Sequence, residues 1–251
     1  MPLSRSGAYR LPGLLYRVVG NCALQMASLV PTSIRNRYLA NRSSYQVSSP
    51  DAIGDYQGVS AKKWDALQMP SSLVGQSVLD IGCSEGYFAQ RCAERGAAPV
   101  VGIDGSLGRL LAARFLSQRD GLNVRYRMGL FPGSRIRGSF DYVLCLSVIH
   151  HSLVNKDVWK VLVDRQNADD LQVLRAQLKA LRGLTARGGK CIVEMPYEYG
   201  DPVEERKIVD FDILGKEMNG AGFISVRCLG TWEYNPEHVS VKDRIIYVAE
   251  A

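Results

Sequence analysis

Short apolar runs alternate with segments of helical periodicity from Gln76 to the end of the chain, and few folds accommodate this pattern. Strand–helix alternation indicates an α/β fold whose mostly parallel sheet carries helices on both faces. The last two runs are close in sequence, which predicts a hairpin and one antiparallel strand near the edge. We therefore expect a doubly wound, seven-stranded sheet. The predicted strands are Ser77–Ile81, Pro99–Ile103, Val124–Arg127, Tyr142–Leu146, Lys190–Met195, Phe223–Leu229 and Arg244–Ala249, and the predicted helices are Tyr87–Arg95, Leu107–Gln118, Leu171–Leu184 and Asp210–Asn219.

Residues 1–50 differ from the rest of the chain in charge. They contain six arginines and no acidic residue, whereas residues 51–251 carry 25 basic and 25 acidic side chains. The formal charge of +6 therefore belongs to an arm. A nucleic-acid-binding domain usually carries its positive charge on the folded body, so this distribution makes a nucleic-acid partner less favoured. We divide the chain into a basic amphipathic helical arm, residues 1–50, and a main domain, residues 51–251.

The arm contains a predicted amphipathic helix that Pro31 ends. Its apolar positions recur at helical spacing, and its polar positions fall on the opposite side. Three interpretations are open: the helix packs on the main domain, residues 10–42 lie on an anionic membrane surface, or the segment is an organelle transit peptide. The apolar positions are Leu15, Val19, Cys22, Met26 and Val30, and the polar positions are Arg17, Asn21, Gln25 and Ser28.

The six cysteines are scattered and show no metal-type spacing, which predicts reduced thiols rather than a disulfide framework. No apolar run approaches the roughly 20 residues that span a bilayer. We expect a cytoplasmic protein, with peripheral attachment to a membrane surface as an alternative.

A glycine turn follows the first predicted strand, and an acid ends the second. Ligands of open α/β sheets bind beyond the carboxyl ends of the strands. Gly82 and Gly86 permit a tight turn there, but Ser84 occupies the place where a dinucleotide fingerprint has its middle glycine. The carboxylate of Asp104 can accept hydrogen bonds from ribose hydroxyls. The combination predicts a nucleoside cofactor without a phosphate group.

These motifs resemble those of the class I S-adenosylmethionine-dependent methyltransferases, whose first motif is matched by Asp80, Gly82 and Gly86 and whose second acid is matched by Asp104. The resemblance runs from about Gln76 to the C-terminus and implies a Rossmann-like methyltransferase fold with S-adenosylmethionine as cofactor. The family often holds adenine with an acid after the third strand. This chain has none there, so adenine is expected to rest on backbone groups and on packing from Met128, Leu130 or Leu107. The predicted cofactor-binding residues are Asp80, Gly82, Cys83, Ser84, Gly86, Asp104, Gly105, Met128, Gly129 and Leu146.

Two of the three histidines, His150 and His151, follow the fourth predicted strand, whose exit adjoins the glycine turn. Histidine accepts a proton near neutral pH, as a hydroxyl acceptor of a methyl group requires. Glu194 ends the fifth strand on the same edge. We predict catalytic roles for His150, His151 and Glu194; the alternatives are a backbone contact for His151 and a pairing of Glu194 with a lysine or arginine. An acid cluster suited to a metal is missing, so no metal is predicted.

A narrower resemblance is to the tRNA wobble-uridine carboxymethyltransferases, carried by Lys63-Trp64-Asp65, Gly86-Tyr87, Gly96-Ala97 and Gly102-Ile103-Asp104. Lys63 and Trp64 either cap the cofactor pocket or lie on a solvated helix face. The leading hypothesis is methyl transfer from S-adenosylmethionine to an oxygen or nitrogen of a small-molecule or membrane-linked acceptor. The alternatives are an RNA-modifying methyl- or carboxymethyltransferase and a non-catalytic protein that binds S-adenosylmethionine.

Overall fold

A computed structural model describes residues 13–40, 57–133, 136–152, 168–196, 198–199, 207–208, 211–233 and 243–251. Nine strands are described: β1 Val78–Ile81, β2 Val100–Asp104, β3 Val124–Met128, β4 Phe140–Leu146, β5 Thr185–Pro196, β6 Glu198–Tyr199, β7 Lys207–Ile208, β8 Ser225–Glu233 and β9 Asp243–Glu250. Seven α-helices are described: α1 Gly13–Met26, α2 Thr32–Ala40, α3 Gln57–Ala66, α4 Tyr87–Glu94, α5 Leu107–Arg119, α6 Ala168–Leu184 and α7 Phe211–Gly220.

Seven of the strands form one sheet in the order β3-β2-β1-β4-β5-β9-β8. The first five run parallel, and β9 lies antiparallel to both β5 and β8. The prediction of a doubly wound sheet with one antiparallel strand is therefore confirmed. The strand order reverses at β1, which pairs with β2 on one side and with β4 on the other. The carboxyl ends of β1, β2 and β4 consequently converge at one edge.

Helices cover both faces of this sheet, as its burial pattern requires. Along β4, Val143 and Cys145 belong to one buried cluster, and Tyr142, Leu144 and Leu146 belong to the other. Both sets are apolar because a parallel strand between helical layers has no solvated face. The first cluster receives α6 and α7, and the second receives α3, α4 and α5. One side of α6 is lined with leucines and points inward: Leu174, Leu178 and Leu181 are fully buried.

Helix α1 of the arm packs on the edge of the sheet, but the side that packs is opposite to its predicted apolar stripe. Helix α1 contacts β3 and α5. Gly20 and Leu24 are buried there, whereas Leu15, Val19 and Met26 are exposed. A Cβ at Gly20 would overlap the sulfur of Met128, so this glycine leaves room for the Met128 side chain against the helix. Small residues thus decide which side packs.

Two polar contacts hold α1 in this orientation. The Met128 N–H donates to Asn21 Oδ1 at 3.0 Å, and Arg17 Nη1 donates to the Gly133 carbonyl at 3.3 Å. Residues 1–12 and 41–56 of the predicted division lie outside the described residues. Among the described helices, none is both long and apolar enough to cross a membrane.

Candidate functional site

The glycine turn between β1 and α4 is tied to the end of β2 by its backbone. The N–H groups of Gly82 and Cys83 both donate to the Ile103 carbonyl, at 2.7 and 3.0 Å. Gly82 has φ +72°, and a Cβ there would overlap Val148 Cγ2. Glycine is therefore required at this position by both conformation and space.

Asp104 receives two backbone N–H groups from opposite sides. Ser84 N–H donates to Oδ2 at 3.0 Å, and Ser106 N–H donates to Oδ1 at 2.8 Å. Each carboxylate oxygen keeps acceptor capacity for a further donor. The hydroxyl oxygen of Ser84 is buried and has no hydrogen-bond partner among the described residues. The carboxylate is thus held in one orientation beside an unsatisfied hydroxyl, as expected where a polar ligand binds.

Asp80 is buried beneath the same turn. Its Oδ2 accepts a hydrogen bond from the Ala89 N–H at 3.2 Å, which connects β1 to the first turn of α4. Burial raises the pKa of Asp80 to about 7; the nearby Asp104 carboxylate adds to this increase, and Lys63 opposes it. The structure therefore gives Asp80 a supporting contact within the turn, and direct contact with a cofactor stays a prediction.

Two other predicted turn residues serve the packing of the pocket. A Cβ at Gly86, where φ is +84°, would overlap the hydroxyl of Tyr126. Cys83 is buried, and desolvation together with the Asp80 and Asp104 carboxylates raises the pKa of its thiol well above the ordinary value. Its sulfur thus stays protonated and packs as a small apolar group.

The segment expected to hold adenine follows β3. The N–H of Gly129 donates to the Asp104 carbonyl at 3.0 Å, and the N–H of Met128 is taken by Asn21. These two backbone donors have protein partners, so the expected backbone contact to adenine finds no support at them. The buried Met128 side chain packs against Gly20 of α1, and its packing on adenine, like that of Leu107, stays a prediction. Gly105 faces Leu130, and Leu146 is buried at the end of β4.

A buried ion pair stands at the exit of β4. Ser147 has φ +59°, which is uncommon for a residue with a side chain. Its N–H donates to the Glu194 carbonyl at 2.9 Å, and its hydroxyl donates to Glu194 Oε2 at 2.6 Å. Lys63 Nζ lies 3.2 Å from the same carboxylate oxygen and donates to Ser147 Oγ at 3.1 Å. Glu194 thus takes the alternative predicted for it, pairing with a lysine.

The two histidines lie together in a 3-10 turn at Ile149–Ser152. His150 is buried and His151 is exposed, and their ring centroids are 4.2 Å apart. Val148, just before this turn, packs against Gly82. The structure therefore brings the histidine turn next to the glycine turn, as the strand order predicts. Among the described residues, no cluster of three or more His, Cys, Asp or Glu side chains is arranged to hold a metal ion.

The contacts of three residues at or near the site could not be predicted from the sequence. The sequence left two interpretations of Lys63, a cap on the cofactor pocket or a position on a solvated helix face. The structure excludes the solvated face, because Lys63 is buried in an ion pair with Glu194. Ser147 carries no motif of its own; only the register of β4 against β5 places it beside Glu194. Asn21 falls on the polar side of its helix, and that side faces the sheet.

Comparisons with known proteins agree with this geometry. Residues 78–167 match a family described as "Methyltransferase domain". The chain is 30% identical over 169 residues to a tRNA U34 carboxymethyltransferase of Alcanivorax borkumensis, an alignment that covers 63% of this chain and 48% of the relative. The glycine turn and the acid that ends β2 both lie within the matched residues, and the strand order is consistent with these matches. The chain therefore contains a methyltransferase domain, and it is similar to S-adenosylmethionine-dependent methyltransferases.

Other similar methyltransferases differ in what their names describe. A ubiquinone biosynthesis O-methyltransferase of Dinoroseobacter shibae is 37% identical over 86 residues, or 34% of each chain. The crystal structure of the N-terminal domain of EvdMO1, determined in the presence of SAH and D-fucose, matches with a TM-score of 0.58 at 17% identity and covers 87% of this chain and 96% of that one. This likeness shows the fold. The chain spans about half or less of the length of the two curated relatives.

The residues present fit the methyltransferase cofactor. Gly82 and Gly86 carry no side chain at the two ends of the turn, the Asp104 carboxylate retains acceptor capacity, and Ser84 offers a buried hydroxyl. Asp104 and Ser84 would hold the nucleoside, and Met128 and Leu107 would pack on its base. When bound, S-adenosylmethionine supplies a sulfonium-activated methyl group at this edge of the sheet.

Proposed function

We propose that this methyltransferase transfers a methyl group from S-adenosylmethionine to an oxygen or nitrogen of a small-molecule or membrane-linked acceptor. The observation that carries the proposal is the contact between Gly82 and Val148, because it joins the cofactor-binding turn to the histidine turn. A base and a methyl donor held at neighbouring loops can act on one acceptor. Alignment of the acceptor with the methyl group then contributes most of the rate.

His150 is the residue proposed to take the acceptor's proton. Held by Asp104 and Ser84, the cofactor would supply an activated methyl group to the acceptor's oxygen or nitrogen, with its sulfur as the leaving group. The acceptor proton passes to the neutral imidazole, and the imidazolium releases it to solvent after product leaves. His151 is exposed beside His150 and offers the path for that release.

Glu194 is proposed to position this loop rather than to accept the proton itself. Its Oε2 already receives the Ser147 hydroxyl and the Lys63 ammonium. Both contacts fix the backbone immediately before the histidine turn. The ion pair therefore sets where His150 stands relative to the cofactor.

A second candidate is RNA modification, favoured by the similarity to tRNA U34 carboxymethyltransferases. Arg125 and Arg127 both lie on the exposed side of β3, and Arg109 is exposed on α5, so the described domain offers a local basic surface for phosphates. Such binding falls steeply as salt rises. Charge balance over residues 51–251 favours the small or membrane-linked acceptor instead.

Calorimetry with S-adenosylmethionine tests the cofactor site. Asp104→Ala should weaken binding about 100-fold, since two hydrogen bonds to a charged acceptor are lost. Asp141→Ala is the matched control: Asp141 also accepts two hydrogen bonds, both from Ser77, but it lies at the amino end of β4, away from the candidate site. Its affinity for the cofactor should equal that of the wild type. Wild-type affinity in the Asp104 variant would remove the ribose assignment.

Acceptor class is tested separately. A gel-shift titration with total tRNA at physiological salt should show no complex if the acceptor is small or lipid-linked. A stable complex would favour RNA modification. Cofactor binding without formation of S-adenosylhomocysteine from any acceptor extract would favour a non-catalytic binding protein.

A further inference from the structure

Helix α1 presents an apolar stripe to solvent. Leu15, Val18, Val19, Cys22 and Met26 are all exposed, and at 100° per residue they lie within one third of the helix circumference. Leu15 is 46% exposed, Val19 49% and Met26 63%. The opposite side of α1 is already covered by β3 and α5. The stripe is therefore a second face of a helix whose first face is packed.

Exposed apolar side chains concentrate in the arm. Within the described part of the chain, ten large hydrophobic residues are exposed, and seven of them lie between Leu15 and Ile34. The turn after α1 adds Leu29, which is 78% exposed, and α2 adds Ile34. Soluble proteins rarely expose a contiguous apolar patch of this kind unless it meets a partner. The patch is called the arm stripe below and comprises Leu15, Val18, Val19, Cys22, Met26 and Leu29.

Charge indicates which partner fits the arm stripe. Residues 1–50 carry six arginines and no acidic side chain, so two copies of the arm would repel each other. An anionic bilayer satisfies both features, because its acyl layer receives apolar side chains and its headgroups attract arginine. Arg37 is exposed on α2, next to the exposed Ile34.

We infer that the arm stripe docks this methyltransferase on the surface of an anionic lipid bilayer. The helix lies in the interface with its stripe in the acyl boundary, and the exposed Arg37 of α2 contacts lipid headgroups. Because α1 contacts Met128 at the carboxyl end of β3 and Gly133 after that strand, docking brings the bilayer to the edge of the sheet that carries the candidate site. An acceptor linked to a lipid would reach the site from that surface. The docking itself does not depend on the proposed reaction.

Vesicle flotation of the full chain without cofactor tests the inference. Wild type should float with phosphatidylglycerol-containing vesicles and far less with pure phosphatidylcholine vesicles. The triple variant Leu15→Ser, Val19→Ser, Met26→Ser should lose roughly 100-fold in partitioning, because each half-buried apolar side chain contributes about fivefold. Ile224→Ser is the matched control: Ile224 is 77% exposed on the main domain, and its variant should float as the wild type does.

The thermal unfolding midpoint of the triple variant reports whether it folds. If it does not fold, a variant with altered charge tests the inference instead. Arg37→Gln should weaken flotation about fivefold, and higher salt should weaken it further. Wild type that fails to float, or a folded triple variant that floats equally well, would overturn the inference. So would sedimentation equilibrium showing a wild-type dimer that the triple variant abolishes, since a second copy would then cover the stripe.

Discussion

Replacing Gly82 with alanine should destabilise the protein through two effects that can be separated. The first is conformational: at φ +72° a residue with a Cβ costs about 1–2 kcal/mol. The second is steric, because the new methyl group would overlap Val148 Cγ2. Overpacking a buried contact of this kind costs about 1–3 kcal/mol. The expected loss in the free energy of unfolding is therefore about 2–5 kcal/mol.

Gly121→Ala isolates the conformational effect. Gly121 has φ +69°, and no described atom lies within 4 Å of the position that a Cβ would take there. Its loss should be only about 1–2 kcal/mol. The double variant Gly82→Ala, Val148→Ala removes the overlap, so it should be less destabilised than the sum of its single variants by about 1–2 kcal/mol.

Urea denaturation of these four variants measures the free energies, and calorimetry measures cofactor affinity in parallel. Gly82→Ala should also weaken S-adenosylmethionine binding, because a displaced turn moves the Ser84 N–H away from Asp104. Gly121→Ala should bind the cofactor normally. Equal destabilisation by the two alanine substitutions, together with no coupling to Val148, would refute the contact between the glycine turn and the histidine turn.

Three further predictions concern buried charges and the histidines. Burial raises the Asp80 pKa from 3.8 to about 7, so the protonated carboxyl stabilises the folded state fully below pH 3.8 and this contribution is lost as pH rises through 7. Urea denaturation should therefore give a free energy of unfolding that falls as pH rises over this range, and Asp80→Asn should remove that fall. Lys63→Met should cost about 3–5 kcal/mol, and adding Glu194→Gln should recover part of it in a double-mutant cycle, whereas strict additivity would argue against the pair. His150→Ala should lower turnover about 100-fold or more with cofactor affinity unchanged, and His151→Ala should lower it less; equal turnover in both variants and the wild type would exclude the proposed base.

Strand positions were predictable from sequence because buried parallel strands appear as uninterrupted apolar runs. The predicted Tyr142–Leu146 and Lys190–Met195 lie inside β4 and β5, and both strands extend further at their amino ends. The glycine turn and Asp104 were predictable because conformation and position restrict those residue types.

The Lys63–Glu194 pair was not predictable in the same way. The two residues are 131 positions apart, and their contact depends on how α3 packs across the carboxyl edge of the sheet. Local patterns carry no information about that packing. Sequence offered only the alternative that Glu194 pairs with some lysine or arginine.

The orientation of α1 could not be predicted from its apolar periodicity either. Apolar spacing correctly identified a helix and its apolar stripe, but an amphipathic pattern normally predicts that the stripe packs inward. Here Gly20 permits close approach to Met128, and Asn21 supplies the hydrogen bond to its N–H. Contact geometry with a distant strand therefore decided which side is buried.

The most direct test of the cofactor site is a crystal structure of the full chain with S-adenosylhomocysteine. We expect both ribose hydroxyls to lie within hydrogen-bonding distance of the Asp104 carboxylate, with the sulfur atom directed toward the turn that carries His150. A ribose bound away from Asp104, or a sulfur atom directed away from His150, would contradict the proposed cofactor site.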